Sequence, residues 1–279
     1  MTIYSTYMYS GEGFGDFIRS LFAIFVFCKE NNIEHKLYIP EHPLNKCFDC
    51  ITEKLDYPLK KFRDYGQKPD NKEILAELNK GKDPNYNIII YSNIFTFVPI
   101  DLLKKYTSEF KSFLKLSDVV KQRIITLKNQ INNVEYTAIH IRCGDQFMES
   151  GGRCVADNRI SPHQDLLFRK LIKIINYLKI TYNLPICVFT DTKSLRDKIC
   201  KEYDLLSFNT TIHHIATQNS NINAYIDTIA EFELLGEAKA IIKLASTGFA
   251  YWSAFIHDVP LFICDDITHK IVPFEDLKA

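Results

Sequence analysis

Four short segments of this 279-residue chain carry side chains whose types and spacing could do chemistry together. The densest is His140-Ile141-Arg142-Cys143-Gly144-Asp145, which sets an imidazole, a guanidinium and a carboxylate within six residues. In an extended strand His140 and Arg142 point to one side, because side chains alternate with period two. A guanidinium at a strand end offers a planar fork of donors that suits a phosphate. The plainer use of the same residues is a structural Arg142–Asp145 pair beside a core histidine.

The second segment is Gly11-Glu12-Gly13-Phe14-Gly15-Asp16, with Arg19 one helical turn later. Its glycines allow a ligand close to the backbone, and the helix that follows presents free N–H groups at its start. The spacing departs from the dinucleotide pattern G-x-G-x-x-G, and Asp16 puts a carboxylate where that pattern seats a pyrophosphate. This argues against an NAD-type oxidoreductase. The third segment, Phe189-Thr190-Asp191-Thr192, ends an apolar run with a carboxylate that can accept from a base or ribose, or simply cap a helix. The fourth, Ser246-Thr247-Gly248-Phe249, offers hydroxyls and backbone donors to a phosphate at the start of a helix, where capping is again the plainer role.

The elements around these segments decide whether they can meet. Thr2 to Met8 alternates like a strand and runs into the glycine turn, a nearly all-round apolar helix spans Asp16 to about Asn31, and Lys36 to Ile39 completes a βαβ unit. The lysine- and proline-rich stretch from Pro40 to Asp83 predicts loops and short helices, followed by a strand at Ile88 to Tyr91. Helices are expected over Asp101 to Leu116 and Asp118 to Asn132, the second capped by Ser117. From Tyr136 the pattern restarts, with strands at 136–142, 186–190, 212–215, 240–244 and 259–264 and helices between them. Short apolar strands alternating with amphipathic helices mean a parallel sheet covered on both faces, and ligands of such sheets bind beyond the carboxyl ends of the strands. All four segments fall at such ends. The expected architecture is therefore α/β with two domains, residues 1–133 and 134–279, facing a cleft.

Composition narrows the function classes. Thirty-four Lys and Arg against thirty-four Asp and Glu leave no net field for nucleic acid or an anionic membrane. The longest strongly apolar run, Leu21 to Cys28, is far short of the roughly 20 residues that span a bilayer, and no secretory leader pattern opens the chain. A cytoplasmic protein, or one trimmed of an anchor, is expected. Of eight cysteines, Cys28, Cys187, Cys200 and Cys264 lie in apolar segments as free thiols would. His35, His42, Cys47 and Cys50 resemble half a zinc site, but their irregular spacing, with no second Cys-x-x-Cys, argues against one.

Taken in order, the four segments resemble the inverting GDP-fucose-dependent fucosyltransferases, the superfamily of α1,2-, α1,6- and protein O-fucosyltransferases. Glu12-Gly13-Phe14-Gly15-Asp16 with Arg19 is similar to the family's N-terminal glycine motif, and His140 to Asp145 matches its His-x-Arg-x-Gly-Asp. Asp191 resembles its strand-ending aspartate, and Ser246 to Trp252 its Ser-Ser/Thr-Phe-Ser-Trp-Trp-like segment; residues 40–130 match no named feature. The resemblance implies a GT-B fold of two Rossmann-like domains, acceptor side first and nucleotide-sugar side second. It implies Arg142 on the β-phosphate of GDP and His140 and Asp191 on the guanosine. Gly13, Phe14, Gly15, Asp145, Ser246, Thr247, Gly248 and Phe249 would complete the donor pocket.

No cofactor is implied, GDP-fucose being the donor substrate and a glycan or glycoconjugate the acceptor. The sequence contains no Asp-x-Asp, so leaving-group charge falls to Arg142 and the helix after Ser246 rather than to a metal. Glu12 is the candidate base, with Asp145 or Asp16 as substitutes. Gly248, where the α1,2 branch has a larger residue, and Glu231, where an aspartate is usual, leave acceptor and linkage open. So do the alternatives of another GDP-sugar donor and of a GDP-sugar-binding protein without turnover.

Overall fold

A short apolar strand followed by a helix that is apolar on nearly every face can bury both only if the helix lies on a sheet. In the computed structural model, β1 (Thr2–Thr6) is buried throughout and α1 (Phe14–Glu30) buries thirteen of its seventeen residues. The structure describes residues 2–7, 13–40, 42–53, 55, 59–62, 87–91, 98–142, 160–211, 215, 221–244, 248–264 and 270–274. These fall into two units, one essentially Met1–Ser117 and the other Asp118–His214 with Asn219–Leu277.

In the first unit β1 pairs in parallel with β2 (Glu34–Leu37) and β4 (Asn87–Tyr91), and β4 with β3 (Leu59–Phe62). The sheet order is β2-β1-β4-β3. α2 (Ile100–Phe113) closes on α1 through aromatic rings, Phe22 stacking on Phe110 with centroids 4.1 Å apart. β3 corrects the expectation of loops and short helices over 40–83. Leu59-Lys60-Lys61-Phe62 lacks apolar alternation because it forms an edge strand, where lysines are common.

The second unit runs α3 (Asp118–Gln130), β5 (Thr137–Ile141), α4 (Ile160–Tyr182), β6 (Ile186–Thr190) and α5 (Lys193–Tyr203), then α6 (Ile222–Leu235), β7 (Ile241–Lys243), α7 (Gly248–His257), β8 (Leu261–Cys264) and β9 (Ile271–Pro273). Its sheet order is β6-β5-β7-β8-β9, parallel through β8, with β9 antiparallel at the edge. Two apolar clusters sandwich it. Ala138, Phe189 and Ile241 face α3, α6 and α7, while Ile139, Val188 and Ile242 face α4 and α5. α3, expected before the boundary, belongs to this unit because Leu127 and Ile131 enter the first of those clusters. The Ser117 hydroxyl, expected to cap that helix, donates to the Lys46 carbonyl at 2.6 Å. Of the strand expected at 212–215, residues 212–214 lie outside the described residues and Ile215 is in a turn.

The would-be zinc ligands have other occupations. Nε2 of His35 lies 2.7 Å from the Ser5 hydroxyl and its ring stacks on Phe113, while Nδ1 of His42 accepts from the Leu44 amide. Burial raises the Cys47 thiol to about 12 and the Cys50 thiol to about 11. The six described cysteines are free thiols. Among the described residues no helix is long and apolar enough to cross a membrane.

The α6–α7 junction depends on one glycine. Gly236 caps α6 with ordinary helical angles, but a Cβ there would sit 2.3 Å from Cδ2 and 2.9 Å from Cβ of His257. Gly236→Ala is therefore expected to cost about 1–3 kcal/mol by overpacking, measured by urea denaturation. The penalty should shrink in a His257→Ala background; a G236A protein as stable as wild type would contradict this packing.

Candidate functional site

The chain leaves β5, returns as β6 on one side of it, then crosses to form β7 on the other. In a parallel sheet such a crossing splays the connections apart and leaves a crevice at the carboxyl ends of the two strands that flank it, here β5 and β7. Residues at the ends of β5, β6 and β7 share that edge because their registers match. Ile141 lies beside Thr190 and His140 beside Phe189, and His140 also lies beside Lys243.

Arg142 and Asp191 each follow their strand by one residue, and the matched register brings them together. A guanidinium nitrogen of Arg142 lies 2.9 Å from a carboxylate oxygen of Asp191, with the two side chains 28% and 9% exposed. The structural pair expected between Arg142 and Asp145 thus has its counterpart in Asp191; Asp145 itself lies outside the described residues. An arginine held on one side by a carboxylate has the plane of its guanidinium fixed by that contact.

His140 is buried under Phe249 of α7, the rings stacked at 20° with centroids 5.7 Å apart. Burial, with smaller contributions from the positive charges of Arg142 and Lys243, holds its pKa down to about 3. The imidazole is neutral at any ordinary pH, so one ring nitrogen donates and the other accepts. Its Nδ1 is buried without a hydrogen-bond partner among the described residues. A buried polar atom of this kind costs stability unless something completes it, and at a crevice that something can be a ligand.

Gly248 opens α7 exposed, with Phe249 behind it; Ser246 and Thr247 lie outside the described residues. β7 ends at Lys243 and α7 starts at Gly248, so a strand precedes a helix there as expected. In the first unit Gly13 is the N-cap of α1 with extended angles, and Glu12 lies outside the described residues. Phe14 is buried against Phe48 with its ring stacked, and Gly15 is buried too, so both pack the helix start. Asp16 occupies the first turn of α1 and pairs with Arg19 at 3.3 Å.

Lys243 was not anticipated. It is buried at the end of β7, and its ammonium lies 3.5 Å from the centroid of the Phe274 ring. The signal was present in Ala240-Ile241-Ile242-Lys243-Leu244, where one cation interrupts a strand otherwise apolar throughout.

No protein-family model matches the sequence, and no curated protein matches it. Solved structures do. The fucosyltransferase NodZ from Bradyrhizobium is 14% identical with a TM-score of 0.62, 99% of each chain being covered. A mutant of Arabidopsis thaliana FUT1 in complex with GDP is 12% identical with a TM-score of 0.60, covering 94% of this chain and 70% of that one. POFUT1 in complex with GDP-fucose is 12% identical with a TM-score of 0.56, covering 92% and 94%. The fold is accordingly that of the GT-B fucosyltransferases.

A polar network behind β6 braces the residues that lead from α5 toward α6. Asp227 of α6 accepts from Arg123 of α3 at 2.6 Å and from the Thr211 amide at 2.7 Å. One turn on, Glu231 accepts from the Thr210 hydroxyl and lies 3.7 Å from the buried Arg196. Burial raises the pKa of Glu231 from 4.5 to about 7, against the lowering effects of Thr210 and Arg196. A carboxyl raised in this way favours the folded state below the ordinary glutamate range, and that contribution is lost as pH rises toward 7. Glu231→Gln keeps an acceptor for Thr210 but cannot ionise. The variant is expected to gain stability relative to wild type between pH 4.5 and 7, read from denaturation midpoints; parallel pH profiles would rule out a titrating Glu231.

Proposed function

We propose that the chain is a glycosyltransferase that moves fucose from GDP-fucose to a hydroxyl of a glycan or other acceptor, with inversion and without a metal. The observation that carries the proposal is the Arg142–Asp191 pair beside a neutral His140 at the β5–β7 crossing. It is supported by the likeness of the fold to fucosyltransferases in complex with GDP or GDP-fucose. In this reading the second unit holds the donor and the first unit receives the acceptor.

Arg142 bonds the β-phosphate, and the first turn of α7, preceded by Ser246 and Thr247, gives it backbone donors and a favourable dipole. Gly248 keeps that approach open, and Phe249 backs the pocket. His140 and Asp191 meet the guanosine, Asp191 accepting from ribose or base N–H and O–H groups while its other oxygen holds Arg142. Asp145, three residues after Arg142 in the sequence, is assigned to the donor pocket, Gly13, Phe14 and Gly15 to substrate binding, and Glu12 to the acceptor hydroxyl as the base.

The chemistry is a displacement at the anomeric carbon. The acceptor oxygen forms the new C–O bond from one face while the bond to the β-phosphate oxygen breaks on the other, which inverts the configuration. The acceptor proton passes to Glu12, and GDP departs with the bonding electron pair. Negative charge grows on the β-phosphate as the bond breaks, so a donor fixed at that oxygen binds the transition state more tightly than the substrate. An arginine fork and a helix N-terminus can meet this need without a divalent ion.

Arg142→Ala and Arg142→Lys should both remain folded and lose on the order of 10²–10³ in kcat, because lysine cannot reproduce the fork. Wild-type transfer of fucose should survive EDTA. A destabilised R142A with near-normal kcat would return Arg142 to a purely structural role, and activity abolished by EDTA and restored by Mn²⁺ or Mg²⁺ would overturn the metal-free assignment.

A further inference from the structure

β6 stands at one end of its sheet order, with α5 packed on one face of the sheet and α6 on the other. The segment after α5 runs along the outer side of β6. Leu206 pairs in parallel with Cys187, its amide donating to the Ile186 carbonyl and its carbonyl accepting from the Val188 amide, both at 2.9 Å. Phe208 then packs on Phe189, the ring centroids 5.7 Å apart. Thr210 follows Phe208 by two residues as Asp191 follows Phe189 by two. The segment therefore carries Thr210 toward the strand end that holds Asp191.

One side chain joins the two layers there. Arg196 of α5 is 3% exposed, whereas Lys193, Asp197, Lys198, Lys201 and Glu202 of the same helix are exposed. A buried cation is costly unless its donors are bonded. Nη1 of Arg196 donates to the Thr210 hydroxyl at 2.8 Å and Nη2 to the Thr210 carbonyl at 3.3 Å, so the guanidinium takes both oxygens of one residue. The Thr210 hydroxyl donates in turn to Glu231 of α6, whose carboxylate lies 3.7 Å from Arg196. Asp227, one turn earlier on α6, accepts from the Thr211 amide at 2.7 Å.

The other end of this tie is the start of α5. The Arg196 amide donates at 3.1 Å to the carbonyl of Thr192, the N-cap of the helix. The Thr192 amide donates to the Thr190 hydroxyl at 3.3 Å, and the Thr192 hydroxyl lies 3.5 Å from a carboxylate oxygen of Asp191. Asp191 stands between these two threonines, so a shift in the first turn of α5 moves its carboxylate. The Arg142–Asp191 contact at 2.9 Å tolerates little of that, because hydrogen bonds weaken steeply as their geometry departs from ideal.

We propose that Arg196 is a positioning residue for the donor site: by fastening the first turn of α5 to Thr210, and through it to Glu231, it sets the Asp191 carboxylate where it meets Arg142 and the nucleotide. This rests on the reading of the crevice as a nucleotide-sugar site. An apolar side chain of similar size would fill the same space, but apolar contact is non-directional and would not fix the register of α5 against α6.

A double-mutant cycle separates positioning from general support of the fold. GDP affinity is measured by isothermal titration for wild type, Arg196→Met, Asp191→Asn and the double variant, each shown to be folded by its melting transition. R196M should bind GDP about 10-fold more weakly than wild type, within the range of coupling found inside one hydrogen-bond network. In the D191N background, where the carboxylate it positions is already gone, the same change should weaken binding no more than about twofold. Arg196→Lys, which keeps the charge but not the fork, should recover part of the loss. A folded R196M that binds GDP like wild type, or a penalty of equal size in both backgrounds, overturns the role. If R196M does not fold, Thr210→Val takes its place in the cycle under the same criterion, removing the hydroxyl between Arg196 and Glu231 at nearly unchanged shape. Failure of the nucleotide-sugar reading looks different: wild type itself would bind neither GDP nor GDP-fucose, and this role would fall with it.

Discussion

A parallel sheet packed on both faces has one place for polar chemistry, the edge where all its strands end. β5 is buried at every residue, as is β6, so neither can carry a solvated charge along its length without a partner. Arg142 and Asp191 resolve this by standing one residue past adjacent strand ends and pairing there. Their pairing sets the plane of the guanidinium at the strand ends beside the crossing from β6 to β7. Phe249 and the start of α7 are placed against that edge by the same connection that follows β7.

Burial also determines the chemical character of His140. A histidine at an exposed strand end would titrate near neutrality and compete with Arg142 for anions. Enclosed by Phe249 and flanked by two cations, it stays neutral and serves as a donor–acceptor pair. Glu231 shows the reverse case, a carboxyl kept protonated to about pH 7 by the same loss of solvent. One physical term, desolvation, gives the unit a neutral imidazole at its crevice and a pH-sensitive brace behind β6.

Much of this was legible in the residues. The strands Ile186–Thr190 and Asn87–Tyr91 and the helices α1, α4 and α6 follow from periodicity that packing reinforces, and their boundaries move by only a few residues. His140 and Arg142 were recognisable because period-two alternation puts them on one side of a strand end. Their partners were not. Asp191 is 49 positions from Arg142, and only strand register brings the two together, so local sequence offered Asp145 instead. β3 was missed because an edge strand tolerates Lys60 and Lys61, and β9 because Ile271–Pro273 is too short to show alternation. The placement of α3 with the second unit depends on Leu127 and Ile131 finding a core contributed by segments about 100 residues later.

The crevice can be interrogated most directly by thermal-shift measurement with nucleotides that share a diphosphate but differ in base. A ligand that binds only the folded state stabilises it by RT ln(1 + [L]/Kd) and so raises the melting temperature. In the proposed reading Asp191 and His140 select for guanine hydrogen-bonding groups while Arg142 grips any diphosphate, so GDP and GDP-fucose at equal concentration should raise it well above the shifts given by UDP, a UDP-sugar or ADP. A larger shift with a UDP-sugar than with GDP-fucose would contradict a guanosine site at the ends of β5 and β6.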